Sequence, residues 1–530
     1  MPSPTVAAAR PRVLLAFACL CACACLGLGW WWWQGRPVAL PDAPSTRIAC
    51  VSYAPFRHLG ENPLSTDETI SPARIDADLR ALSSRFDCVR TYSQSHGLYA
   101  VPAIAARYHM KVLMGIWLGS DPQANQAELR SGIAQALAHP DVLRGVIVGN
   151  EVLLRGDLSE AQLRRDIDRV RAAVRVPVSY ADVWEFWLRH PDLAGAVDFV
   201  TIHILPYWED DPVPPDHAIA HVAQVYARVQ AAFPGKPVMI GETGWPSAGR
   251  PRRDASASLV NEARYLRGFL RYAARTRVPY NVIEAFDQPW KRALEGTAGG
   301  YWGIFDADAR PKFPLRGPVT NIPRWWLGWL AAGAGALGFV LVGVLGRRWR
   351  AAAVGMLALA GLAAGSALAW QVRQMLLACR SPWEWAIALA ATAAALLTAL
   401  VLARAAAMPV AAPASARWRW VRGGWLFALV YYDLLMVWDG RYRDFPLGLF
   451  ALPAVAYAVL SLLRPAVRRP WLEERFLAVA GVLLGVAVVV QEAGLNATAW
   501  LWLVLNLALA WPVWRDARRT PASADSAGSR

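Results

Sequence analysis

The stretch GVIVGNEV, residues 145–152, decides how the central part of the chain folds, and VMIGETGWPSAG, residues 238–249, is its counterpart. In each, a nearly continuous apolar run ends in one glutamate: Glu151 after Val146-Ile147-Val148, and Glu242 after Val238-Met239-Ile240. An apolar run without alternation belongs to a strand buried on both faces, as in parallel sheets covered by helices. An acid at the C-terminal end of such a strand reaches the open loop face, where α/β barrels carry their reactive groups.

Similar runs recur on either side: RIACVSYAPF (47–56), CVRTYSQ (88–94), KVLMGIWL (111–118), VPVSYADVW (176–184), DFVTIHILPYW (198–208) and YNVIEAFDQPW (280–290). Between them, segments such as DADLRALSSRF and NEARYLRGFLRYAARTR place apolar residues at helical spacing. With the two opening stretches this makes eight strand-helix units, which predicts an α/β fold, a (β/α)8 TIM barrel over residues 36–320.

The flanks are of another kind. Of the 530 residues 55% are hydrophobic, too many for an ordinary soluble chain. The run VLLAFACLCACACLGLGWWWW follows Arg10 and Arg12, is long for a signal peptide and ends in four tryptophans, so residues 1–35 are read as a cytoplasmic N-terminus with an uncleaved signal anchor. Cys19, Cys21, Cys23 and Cys25 alternate around that helix rather than lining one face, which suits apolar filler and not a metal site. Residues 321–514 are expected to form an all-α transmembrane bundle with spans near 325–346, 351–371, 384–404, 424–438, 446–463, 476–491 and 498–514, and residues 515–530 a cytoplasmic tail.

Charge sets the expected orientation. Arg347, Arg348, Arg350, Arg417, Arg419, Arg422, Arg464, Arg468, Arg469, Arg515, Arg518 and Arg519 fall on one side of these spans, and Arg373, Arg380, Arg441 and Arg443 on the other. The positive-inside rule puts the larger group in the cytoplasm and the 36–320 domain outside it. Many arginines behind the net charge of +15 are then topology signals, which leaves little reason for a nucleic-acid partner. A membrane-lipid environment is expected instead. The chain has no phosphate-cradling Gly-x-x-x-x-Gly-Lys-Ser/Thr loop and no metal-binding constellation of histidines, so neither a cofactor nor a metal is expected.

Two carboxylates at one cleft are what glycosidic-bond chemistry needs. One, protonated, serves the leaving oxygen, and the other, ionised, attacks the anomeric carbon or positions water. A lone glutamate at a strand end is commonly a loop cap or an ion-pair partner. Two of them, one preceded by Asn150 and one followed by Gly244-Trp245-Pro246, point to catalysis.

VGNEV and IGETGWPSAG, with VRTYS on the second strand and YWGIFDADARPKFP near the domain's end, resemble glycoside hydrolase family 17, β-1,3-glucanase-like members of a large clan of eight-stranded retaining glycosidases. The resemblance covers residues 45–315. The bundle, with GRYRDFPLGLF at 440–450, is similar to the membrane-attached proteobacterial branch of β-glucan synthases and transglycosylases. It implies a multi-pass inner-membrane protein with a periplasmic catalytic domain, a β-glucan substrate and a membrane glucan synthase as a candidate partner. It further implies Glu151 as acid/base, Glu242 as nucleophile, Asn150 on the sugar 2-hydroxyl, and retention, with carboxyls about 5 to 5.5 Å apart. The glycosyl-enzyme can then pass its sugar to water or to another glucan, giving hydrolysis or transfer, including β-1,6 linkage.

Further candidates end other strands. Tyr53, Arg90 and Tyr92 are expected to orient the nucleophile, and Trp245 and Trp302 to stack on pyranose rings. His203 and Tyr207, on IHILPYW, are expected to line the cleft. Glu284 and Lys291 either bind sugar hydroxyls or pair with each other, with Asp287 nearby. Leu205 stands where plant-type relatives carry tyrosine and Gln288 where an acid is usual, which bears on linkage preference rather than on the two acids. An alternative is a saccharide-binding receptor or export module with a non-catalytic barrel, and the intact pair argues against it. Cys50 and Cys88 open adjacent strands, which leaves a disulfide between them open.

Overall fold

The computed structural model describes residues 4–65, 67–345, 350–407, 417–464 and 469–518. Arg347, Arg348, Arg468 and residues 519–530 of the expected tail lie outside the described residues, whereas its residues 515–518 continue the last helix. The chain divides into two compact units: Val38–Gly249 with Asp254–Val319, and Met1–Pro37 with Arg250–Arg253 and Thr320–Arg530.

The first unit is built on a curled parallel sheet of seven strands in sequential order: β1 Val51–Ser52, β2 Cys88–Arg90, β3 Lys111–Ile116, β4 Leu143–Asn150, β5 Val178–Val183, β6 Val200–His203 and β7 Val238–Glu242. Every strand falls on a run expected from the sequence, with β4 starting two residues before its run. Seven of the eight residues of β4 are buried, which is the reason its run is nearly continuous rather than alternating. Helices cross back between strands and start where the sequence signals a cap. Ser71 accepts the Arg74 N–H before helix Pro72–Ser83, and Ser159 forms a capping box with Gln162 before helix Glu160–Ala173.

The expected eighth strand is present as single bridges rather than as a ladder. Tyr280 bridges Ile240 of β7, and Val282 bridges Val51 of β1, both in parallel sense. Beyond Val282 the backbone divides its bonds: the Ile283 N–H donates to the Thr243 carbonyl at 3.0 Å and the Ala285 N–H to that of Ser52 at 2.9 Å, whereas the Glu284 N–H donates to the Trp302 carbonyl at 3.1 Å and the Ile304 N–H to that of Glu284 at 2.8 Å. A disulfide joins Cys50, just before β1, to Cys88, the first residue of β2.

Among the described residues of the second unit, five helices are long and apolar enough to cross a membrane: Pro11–Gly35, Trp326–Gly343, Ala351–Ala378, Pro382–Ala407 and Ala497–Arg518. The expected spans at 424–438, 446–463 and 476–491 also fall on helices, Arg417–Trp438, Leu447–Leu463 and Leu472–Gln491, which are not among those five. Helices Trp326–Val344 and Ala351–Ala378 approach closely through Gly335 and Gly361, in the manner of small-residue contacts between apolar helices. Buried charge is paired: the Arg422 guanidinium donates to Glu474 at 3.0 Å and to Asp516 at 3.1 Å. Asp433 is fully buried and takes the Trp502 indole N–H at 2.7 Å.

Candidate active site

The C-terminal ends of β2, β4, β6 and β7 bring one cluster together. Glu242, the last residue of β7, pairs in register with His203 of β6. Its Oε1 accepts the Tyr92 hydroxyl at 2.8 Å and the Arg90 guanidinium at 3.2 Å. Arg90, 1% exposed, also donates to the Gly241 carbonyl at 2.8 Å and to Asn150 Oδ1 at 2.6 Å. It lies 4.8 Å over the Tyr92 ring. Buried charge-assisted donors of this kind fix the direction of the carboxylate. Burial and then the Glu242 charge push the Tyr92 hydroxyl well above its ordinary range, so it keeps the proton it donates.

Glu151 is presented differently. It sits one residue past β4 in a left-handed turn at φ 53° and starts the short helix Val152–Arg155. Its Oε1 meets His203 Nδ1 at 2.7 Å, while His203 Nε2 lies 3.6 Å from Glu242 and 3.4 Å from Arg90 Nη1. One ligand atom of each of Glu151, His203 and Glu242 thus lies within 4.8 Å of the others. Burial alone would raise the Glu151 carboxyl; the His203 hydrogen bond, with the charges of His203, Arg155 and Arg90, outweighs it and holds the group below its ordinary range. The same three side chains could chelate a cation, but Arg90 already supplies positive charge to Glu242, and His203 Nδ1 is committed to Glu151.

Glu284 and Lys291 form the ion pair that was one of their two expected roles, with Nζ 3.0 Å from both carboxylate oxygens. Burial pushes Glu284 up to about 7 against the pull of Lys291. Asp287 pairs instead with Lys312 at 2.9 Å. The structure puts several aromatic candidates elsewhere than expected. Tyr53 is fully buried and its hydroxyl donates to Asp78 of helix Pro72–Ser83, away from the carboxylates. Trp245 is buried against Tyr207 and Tyr265, and its indole N–H goes to the Ser256 carbonyl. Tyr207 and Trp302 pack edge-on in the same buried cluster, so none of these rings turns a free face to a sugar.

Four residues were not singled out from the sequence. The Tyr92 oxygen lies 2.8 Å from Ser52 Oγ, and Asn281 Nδ2 donates to that Oγ at 2.8 Å, so Ser52 and Asn281 support Tyr92 from behind. Tyr180 and Asp182 of β5 lie beside the Glu151 turn. Asp182 lies one residue before the end of β5, near the strand end where Glu242 also sits.

The model of the BtgE/BtgC glycoside hydrolase domain matches residues 50–303. A glucan 1,3-beta-glucosidase of Schizosaccharomyces pombe is 29% identical over 257 residues, 45% of this chain and 79% of that protein. The glucan 1,3-beta-glucosidase BGL2 of Candida albicans is 24% identical over 295 residues, 51% of this chain and 94% of that protein. Among solved structures, the family 17 β-1,3-glucanosyltransferase of Rhizomucor miehei is 26% identical, covers 51% of this chain and 98% of that one, and has a TM-score of 0.45. Residues 50–303 are thus similar to a glycoside hydrolase domain, and the chain is an enzyme of the glycosidase type.

Proposed function

We propose that the chain is a retaining enzyme acting on β-1,3-glucan, which cleaves the polymer and transfers the released glucanosyl unit to another glucan. The observation that carries this reading is the Glu151–His203–Glu242 chain, whose facing atoms lie within 4.8 Å. That separation suits direct attack by one carboxylate and leaves little room for a water between two acids, as inversion would need. The matched β-1,3-glucosidases support the substrate class.

In the first step Glu242 attacks the anomeric carbon, the glycosidic C–O bond breaks, and the departing oxygen takes the proton held in the Glu151–His203 bond. Arg90 and Tyr92 aim Glu242, and Asn150, itself held by Arg90, meets the sugar 2-hydroxyl. In the second step Glu151 takes a proton from water or from a sugar hydroxyl, whose oxygen displaces Glu242.

The bridges from residues 280–282 to β7 and β1 support a closed (β/α)8 barrel in which this site occupies the loop face. We further infer a signal anchor at residues 1–35 and a helical membrane region over 321–514. The arginine distribution supports placing the catalytic domain on the periplasmic side of an inner membrane, where it would remodel glucan beside a membrane synthase.

The test is the chain-length distribution, by mass spectrometry, after the purified full chain meets a defined β-1,3-gluco-oligosaccharide. Products both shorter and longer than the starting sugar are expected. Shorter products alone would make it a hydrolase, and an unchanged substrate overturns the reading.

A further inference from the structure

One buried carboxylate beside the site has no part in the chemistry above. Asp182, in β5, is fully buried; its Oδ1 accepts the Val183 N–H at 2.8 Å and its Oδ2 accepts the Tyr180 hydroxyl. Tyr180 in turn accepts the N–H of Leu153 at 3.0 Å. Leu153 is the second residue of the helix that Glu151 starts.

The first N–H groups of a helix need acceptors, ordinarily supplied by the side chain of the residue before it. Here that residue is Glu151, which makes no capping bond because its carboxylate is turned to His203. The Tyr180 hydroxyl takes the vacant part. It accepts well only when its own proton is directed elsewhere, and Asp182 directs it. The Glu151 N–H donates to the Ala181 carbonyl at 2.8 Å, so three consecutive residues of β5 fix the turn. That turn needs fixing, because a left-handed conformation is disfavoured for a residue with a Cβ.

We propose that Tyr180 and Asp182 are positioning residues for Glu151, holding the acid/base carboxyl in line with the leaving oxygen through a surrogate helix cap. The inference rests on the assignment of Glu151 as acid/base. Asp182 also acts by charge. The groups that face it are Tyr180 on its own strand, Glu151 from the end of β4 and His203 from β6. Its negative charge opposes ionisation of Glu151 and so favours the proton an acid must carry. Burial, opposed by the Tyr180 hydrogen bond, pushes Asp182 up to about 6, so both effects fade as pH falls below that value.

The test compares the full-length wild type with Tyr180→Phe and Asp182→Asn on two substrates. One is an unactivated β-1,3-gluco-oligosaccharide; the other is a dinitrophenyl β-glucoside, whose leaving group departs without a proton. Each variant is expected to lose about ten- to hundredfold in kcat on the oligosaccharide with KM within about threefold. The initial release of dinitrophenolate should stay within about threefold of wild type. Asp182→Asn should also remove the component near pH 6 from the acid limb measured on the oligosaccharide. Equal losses on both substrates, or no loss on either, overturn the inference. Should Tyr180→Phe lose its near-ultraviolet dichroism, the same ratio in the isosteric Asp182→Asn decides. A wild type inert on both substrates brings down the acid/base assignment and this inference with it, whereas an active wild type whose variants keep its ratio brings down only the inference.

Discussion

Glu242 and Glu151 leave the same sheet by different exits. Glu242 is still in the strand, its side chain 7% exposed, with a tyrosine hydroxyl and a guanidinium on one oxygen. Glu151 has left its strand through a left-handed turn, its side chain is 24% exposed, and it leans on an imidazole. The contrast matches two chemical duties. A nucleophile gains from donors fixed before the reaction, because they stabilise one charge state in one direction. An acid/base must give up and regain a proton each cycle, so a titratable partner and access to solvent serve it better than a rigid clamp.

The largest effects should break the pair. Glu242→Gln is expected to lower kcat by about 10⁴-fold or more on every substrate, since no other group can form the glycosyl ester. Near-normal turnover in that variant would sink the nucleophile assignment. Glu151→Gln should cost about 10² to 10⁴-fold on an oligosaccharide but far less in the first turnover of a dinitrophenyl glycoside. Equal losses on the two substrates would mean that Glu151 is not the proton donor. Arg90→Lys comes next, because one side chain reaches both ends, bonding Glu242 and Asn150 at once. Lysine cannot reproduce the planar fork, and a loss of about a hundredfold in kcat/KM is expected from steady-state kinetics. A loss below about threefold would show the two ends to be independent.

The buried acids around this site also leave a mark on stability. Glu284 lies at about 7, and Asp182 and Asp287 at about 6, above the ordinary carboxylate range because burial disfavours their charge. From about pH 4.5 up through 7 the folded chain therefore holds protons at these positions that the unfolded chain has released, so stability falls as pH rises across that range. Carboxyls held low in the fold, Glu61, Asp76 and Glu151, work the other way and only at lower pH, where the unfolded chain takes up protons first. Thermal unfolding followed by near-ultraviolet dichroism should give a lower midpoint at pH 7.5 than at pH 5, with a shallower slope in Asp182→Asn. A midpoint that rises over that window would contradict the burial argument.

Much of this was written in the chain. Continuous apolar runs ending in acids located β4, β7 and both glutamates, because burial on both faces leaves no polar position until the strand ends. Asp182 is harder to read in VPVSYADVW, because Ser179 interrupts the apolar run, Val183 follows it in the strand and no second motif marks it. Tyr53 was misplaced for a geometric reason: alternate residues of a strand face opposite layers. Ser52 pairs with Arg90 and meets Tyr92, so its neighbour Tyr53 points to the helix layer and Asp78. Strand position alone does not reveal that parity. Trp245 follows Glu242 closely enough to look like a platform, but its placement depends on Tyr207 and Tyr265, brought up from elsewhere in the chain. The eighth strand was legible as an apolar run, yet its pairing was not, since Glu284 gives its backbone to Trp302 and Ile304.

A pair of glycines offers the finest test of the contrast between the two exits. Gly149, two residues before Glu151, has φ 82°, and a Cβ there would lie 2.8 Å from Val152 Cγ2 and 3.4 Å from Tyr180 Cδ2. Alanine at this position would meet backbone strain as well as crowding, so Gly149→Ala should cost about 1 to 3 kcal/mol, a midpoint lower by several degrees. Gly241, just before Glu242, carries no such backbone demand, but a Cβ there would fall 2.4 Å from Thr201 Cγ2, 3.3 Å from His203 Cδ2 and 3.4 Å from Arg90 Nη1. The crowding is aimed at the clamp itself. Gly241→Ala should therefore slow both substrates by a similar factor, while Gly149→Ala should slow the oligosaccharide more than the dinitrophenyl glycoside. If the two variants share one substrate profile, the turn at Glu151 and the clamp at Glu242 form one rigid body, and the division of duties drawn between them fails.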